Sequence, residues 1–107
     1  MPDVEHHHHG MIFKWNEYKA ETNKKKHGVT FEEAATAFGD VNAKVYDDDE
    51  HSEDEEHFIL MGYSAISRLL MVCHCYRGND DSVIRIISAR KATRQERQKY
   101  EERGGKT

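Results

Sequence analysis

The stretch that most limits what this chain can fold into is residues 83–100, VIRIISARKATRQERQKY. Val83, Ile84, Ile86 and Ile87 form a β-branched run of strand length, too short and too branched for a helix. A helix must follow at once, because Thr93-Arg94-Gln95-Glu96 is a capping box, with Thr at the N-cap and Glu three residues on. Two arginines interrupt the strand. Period-two alternation puts Arg85 with Val83, Ile87 and Ala89, and Arg90 with Ile84, Ile86 and Ser88. The two guanidiniums are therefore expected on opposite faces. Either they hold phosphate, for which the planar arginine fork is suited, or they are solvated or pair with the chain's many carboxylates. Arg90, at the strand-to-helix junction, is the expected phosphate holder.

The preceding segments read as short elements on short loops. Residues 1–10, MPDVEHHHHG, carry four consecutive histidines before a second methionine. They are expected to be a tag or upstream extension outside the fold, although such a tract could also hold a metal ion. Met11 to Trp15 reads as a strand, and Asn16 caps a lysine-rich helix that ends at His27-Gly28. A second capping box, Thr30-Phe31-Glu32-Glu33, opens another helix with the apolar stripe Phe31, Ala34, Ala35 and Phe38. Ala43 to Tyr46 suits a short edge strand. Phe58 to Tyr63, Arg68 to Arg77 and the opening segment then make three strands joined by short turns, which must be an antiparallel meander. The expected architecture is one α+β domain over residues 11–103: an antiparallel central sheet, two N-terminal helices and one C-terminal helix, with residues 104–107 a flexible tail.

The net charge of −4 conceals a division along the chain. Residues 46–57 hold eight acids and no Lys or Arg, whereas residues 68–107 hold ten basic against five acidic side chains. A clustered basic face is what phosphate attraction needs, so the last third points weakly to nucleic acid. The acidic run lacks the glycine and spaced ligands of an EF-hand and is expected to be a solvated loop. No apolar run approaches the length of a membrane span.

Recognisable catalytic motifs are absent: no phosphate-binding glycine loop, no GxSxG elbow and no HExxH. Cys73-His74-Cys75 cannot hold one metal ion on a strand, because His74 points away from the two thiols. Both cysteines are expected as free thiols in the core. What remains is a set of imidazoles, His27, His57 and His74, and of guanidiniums, Arg68, Arg77, Arg85 and Arg90. Metal-free RNA cleavage needs only a proton acceptor for the ribose 2′-OH, cations for the phosphorane and a proton for the leaving oxygen.

From Met11 to Glu102 the chain resembles the BrnT family of bacterial toxins, whose fold is similar to that of RelE-type ribonucleases. The landmarks are MIFKW with Asn16 and Lys19, then KKHGVTFEEA, FGD, HSEDEE, the glycine of ILMGY, and VIRIISARKATRQERQKYEE. The resemblance implies a cytoplasmic type II toxin that cleaves RNA without metal or cofactor and so inhibits translation. It also implies a BrnA-like antitoxin with a ribbon-helix-helix part, through which alone the pair would contact promoter DNA. No membrane partner is implied. Carried onto this sequence, the catalytic set is His57, Arg77, Arg85 and Arg90, and the RNA-binding set is Lys26, His27 and Arg94, with no metal ligand. One departure stands out. Where the family pattern has Glu-Arg-Phe or Glu-Arg-Tyr, this chain has Glu56-His57-Phe58. His57 is expected near the groove of Arg77 and Arg90, as a weakened phosphate holder or a proton carrier. The alternative function is an attenuated toxin homologue that serves as an antitoxin-binding co-repressor.

Overall fold

The computed structural model describes residues 3–51 and 55–102. Among the described residues, six strands and three helices follow in the order β1 (Asp3–His8), β2 (Met11–Asn16), α1 (Glu17–His27), α2 (Phe31–Thr36), β3 (Lys44–Asp47), β4 (Phe58–Tyr63), β5 (Leu69–Arg77), β6 (Val83–Lys91) and α3 (Arg94–Glu102). The strands form one sheet in the order β1-β2-β6-β5-β4-β3. The expected tail at 104–107 lies outside the described residues. Residues 3–8, set outside the fold by the sequence reading, pair antiparallel with β2 as an edge strand.

Local chemistry accounts for the helix boundaries. The Asn16 side chain accepts from Lys19 N at 3.1 Å, and Gly28 closes α1 at φ 70°. Thr30 Oγ1 accepts from Glu33 N at 3.0 Å to start α2, whose line continues as a 3₁₀ turn at Ala37–Gly39. At α3 the capping box is reciprocal: Thr93 Oγ1 accepts from Glu96 N, and Glu96 Oε1 accepts from Thr93 N. Such caps satisfy N–H groups that the first helical turn leaves open.

Two features differ from the sequence reading. The sheet is mixed, because β2 runs parallel to β6 over Ile12–Lys14 and Val83–Arg85. Short turns force β4, β5 and β6 antiparallel, but the chain between β2 and β6 is long enough for a crossover, so either direction was open. The second difference is a bulge. Cys73 faces Ser88 while His74 faces Ile86, which leaves Ile87 as an extra residue in β6. The bulge resets the alternation. Ala89 joins Ile84 and Ile86 in the core, while Arg85 and Arg90 end on the same face, opposite Cys75 and Met71. Opposite faces for the two arginines held only for an unbroken pleat.

The core lies on one side of the sheet, where Phe13, Trp15, Leu70, Val72, Ile84, Ile86 and Ala89 meet Phe31, Ala34, Ala35 and Ala37. Gly62 is required here: a Cβ would lie 2.8 Å from the carbonyl oxygen of Ala37. Arg68 ties α2 to the sheet through both carboxylate oxygens of Glu33 and through Gly28 O. That structural task takes it out of the candidate phosphate holders. On the opposite face Tyr100 of α3 packs edge-on against Tyr63 and donates to Asp40 Oδ2 at 2.6 Å.

Helix α1 does not lie across the sheet. Its only buried residue is Asn23, which works as a substitute strand partner. Where β2 ends, the open edge of β6 meets the Asn23 amide: Oδ1 accepts from Ala89 N at 3.0 Å and Nδ2 donates to Ala89 O at 2.8 Å. Nδ2 also donates to Val29 O at 3.0 Å. Replacing Asn23 by Ala strands three buried backbone groups, each worth about 1–3 kcal/mol when left unsatisfied. We expect Asn23→Ala to lower unfolding free energy by about 2–5 kcal/mol in urea titrations, whereas a loss within about 0.5 kcal/mol would show that α1 is held by other contacts.

Candidate functional site

Because α1 stands at the sheet's edge and α2 on its core face, the other face is left partly open. Between α1 and that face runs a groove of about 700 Å³. Its wall is Lys19, Thr22, Lys26 and His27 from α1, and its floor includes Ile59, Met71, Cys73, Ser88 and Arg90. Asp48 and Glu50 close it from the segment after β3.

The expected site residues divide accordingly. Lys26, His27 and Arg90 come together in the groove. His57 precedes β4, and its imidazole lies within 4.8 Å of Asp48 and Cys73, which both line the groove. Arg77 is not a lining residue and pairs with Glu55 at 2.7 Å, the same carboxylate that lies 3.7 Å from His57 Nε2. Arg85 lies toward β1, where Asp3 grips it at 3.0 and 3.3 Å. Arg94 is exposed at the start of α3 and does not line the groove. Arg90 donates from both terminal nitrogens to Glu96, each at 2.8 Å. The hydrogen bonds from Arg90 hold the Glu96 carboxyl down at about 2. The pair therefore contributes stability above the ordinary carboxylate range and loses it as pH falls toward 2.

Lys19 and Lys26 differ from the arginines. Seven residues apart on α1, they face the groove without an ion pair among the described residues. Lys19 was a family landmark but not an expected site residue, although that helical spacing could have shown it to share a face with Lys26. Asp48 was hidden inside an acidic run that reads as solvated, yet it is 8% exposed.

Alternation does separate His74 from the two thiols, but with the faces reversed from the expectation of core cysteines: His74 faces the core at 0% exposure, its ring edge-on against Phe38. Nδ1 bonds to Val72 O at 3.0 Å and burial holds the imidazole below its ordinary value, so it is no groove acid or base. The cysteines correct the expectation of core thiols. Cys75 is buried, but Cys73 is on the groove floor, its Sγ 3.5 Å from Asp48 Oδ2. Desolvation first, then Asp48, pushes the Cys73 thiol up to about 12.

The described residues thus define a small α+β domain whose open sheet face carries a groove lined by lysine, arginine and histidine. A family model described as "Ribonuclease toxin, BrnT, of type II toxin-antitoxin system" matches residues 15–96, and the chain belongs to that family. The crystal structure of the Brucella abortus ribonuclease toxin BrnT has a similar fold, with a TM-score of 0.56 and 24% identity over 75% of this chain and 94% of that one. None of the curated proteins compared matches the chain.

Thiol chemistry gives a check on the groove floor. With its pKa at about 12, Cys73 is thiolate to only about one part in 10⁴ at pH 8. Alkylation by iodoacetamide at that pH should be slower than for the urea-unfolded chain by at least about a hundredfold. Equal rates in the folded and unfolded protein would place Cys73 outside this buried setting.

Proposed function

We propose that the chain is a metal-independent endoribonuclease whose groove holds the RNA backbone, acting in the cytoplasm as the toxin of a type II pair. The observation that carries this reading is the convergence of Lys19, Lys26, His27 and Arg90 on one groove of a ribonuclease-toxin family member. Cleavage follows from attack of a ribose 2′-OH on the adjacent phosphate, leaving a 2′,3′-cyclic phosphate and a 5′-OH end. Lys19 and Lys26 attract the phosphate, and Arg90 stands on the groove floor to meet charge on the phosphorane. His27 borders the same space and is the imidazole placed to pass protons, while His57 lies beside Asp48 and Cys73, which line it. Translation falls because its RNA is cut. The partner is a BrnA-like antitoxin with a ribbon-helix-helix segment, which brings the complex to promoter DNA and covers the toxin. No helix among the described residues is long and apolar enough to cross a membrane.

A second reading has its own observation. Arg77, Arg85 and Arg90 are each engaged by a carboxylate, and the family's arginine after the acidic run is His57 here. A toxin homologue with its guanidiniums neutralised could pair with an antitoxin as co-repressor without cutting RNA. RNA incubated with the protein in EDTA decides between the two. We expect cleavage, reduced by about 10²–10³ in Arg90→Ala and Lys26→Ala, as for loss of a transition-state cation. Intact RNA under these conditions, with the protein folded, favours the co-repressor.

The role of His57 is open to one substitution. As a phosphate holder it is a shorter and weaker substitute for the family's guanidinium, so His57→Arg should raise cleavage of a generic RNA. As a general base it would be lost in His57→Arg, and cleavage would fall. We expect the first pattern, because the family pattern has a permanent cation at this position.

A further inference from the structure

Cys73-His74-Cys75 fails as a metal motif because its histidine turns into the core. The thiols nevertheless have an imidazole on their own side. Phe58 pairs with His74, so His57 falls beside Cys75 on the face that also carries Cys73. Two overlapping donor sets result: Asp48, His57 and Cys73, and Glu55, His57 and Cys75, each with ligand atoms within 4.8 Å of one another. Both need the same imidazole, so one ion can use one set at a time.

The geometry points to a binding site for a zinc-class divalent cation made by Asp48 Oδ, His57 and Cys73 Sγ at the end of the groove. The spacing suits the ion. A tetrahedral centre with a metal–sulfur bond of about 2.3 Å and a metal–oxygen bond of about 2.0–2.2 Å separates its sulfur and oxygen ligands by about 3.5–3.7 Å. Cys73 Sγ and Asp48 Oδ2 are 3.5 Å apart. The donors are also of the right kind. Sulfur, imidazole nitrogen and carboxylate oxygen together match a borderline ion, whereas magnesium and calcium take oxygen alone. Asp48 is 8% exposed and the His57 side chain 17%, so both are held by the fold and not by loose side-chain rotation. The Asp48 set is favoured over the Glu55 set because Asp48 is buried where the Glu55 side chain is 39% exposed, and because Asp48 and Cys73 line the groove while Glu55 and Cys75 do not.

Loading is an exchange. The Cys73 thiol now donates to Asp48; the ion takes the place of that proton, forms bonds to sulfur and oxygen, and releases one proton to solvent. The two resulting anionic ligands neutralise a divalent charge. Three protein ligands leave a fourth position, and it opens on the groove, since Asp48 and Cys73 both line it. A water or an anion could occupy that position.

Cobalt(II) titration of the reduced, full-length protein tests the site without reference to RNA cleavage, so its outcome is separate from that of the proposed ribonuclease activity. We expect a thiolate-to-cobalt charge-transfer band in the near ultraviolet that saturates at one ion per chain and is displaced by zinc. Histidines 6–9 cannot produce that band, because they offer only nitrogen. Cys73→Ser should abolish it and Cys75→Ser should retain it. Asp48→Asn should weaken cobalt binding by at least about tenfold, the loss that even a ligand's outer hydrogen-bond partners bring. The site is overturned if the parent gives no thiolate band, if the band survives Cys73→Ser, or if Asp48→Asn binds cobalt as tightly as the parent.

Discussion

The contact between the Asn23 side chain and the backbone of Ala89 carries the arrangement of everything around the groove. A β-strand that outruns its neighbour exposes N–H and C=O groups that must find partners. β6 outruns β2, and a single amide supplies both partners at Ala89 while also holding the carbonyl of Val29. The helix that presents this amide has almost no apolar stripe of its own. It is held at the sheet's edge by polar geometry, with Lys19 and Lys26 turned toward the open face. An apolar α1 would have settled onto a sheet face, and no groove of this shape would exist.

The bulge at Ile87 is the second constraint, and it acts on charge. An unbroken pleat would have sent Arg90 into the core side among Phe31 and the alanines of α2. One extra residue returns it to the face of Arg85 and Cys73 and gives the core Ala89 instead. Bulges recur beside active sites because they re-aim a side chain at small cost to the ladder. Here the re-aimed side chain is then fixed by Glu96, the same residue that caps α3. Cap, strand end and groove floor are thus one hydrogen-bonded unit.

The cations fall into two kinds. The three arginines beside the open face are fixed by carboxylates, which orients them but lowers the charge they offer. Lysines 19 and 26 face the groove on the same side of α1 and supply attraction without fixed direction. A phosphate entering between them would meet mobile charge first and oriented charge second. The acidic run also has two parts. Asp47, Asp49, Glu50, Glu55 and Glu56 are exposed, while Asp48 turns inward beside Cys73 and gives the groove a negative end.

Local rules written in single residues were legible without the fold. The three helix starts follow from Asn16, Thr30 and Thr93, the meander from its short turns, and the separation of His74 from the two thiols from alternation, because each depends on neighbours only a few positions away; which of those two faces met the core was not legible. Lys26 and His27, expected through the family resemblance, and Arg90, expected from its place at the strand-to-helix junction, do line one groove. The direction of β2 relative to β6, the bulge that moves Arg90 across the sheet, the Asn23 clamp and the inward turn of Asp48 were not legible. Each depends on a partner dozens of residues away, and sequence alone carries no term for which backbone edge is left open. What the chain determined by itself is its elements and its chemistry; which of those groups share a groove was decided only when β6 paired with β2, outran it, and required an amide from α1 to close the gap.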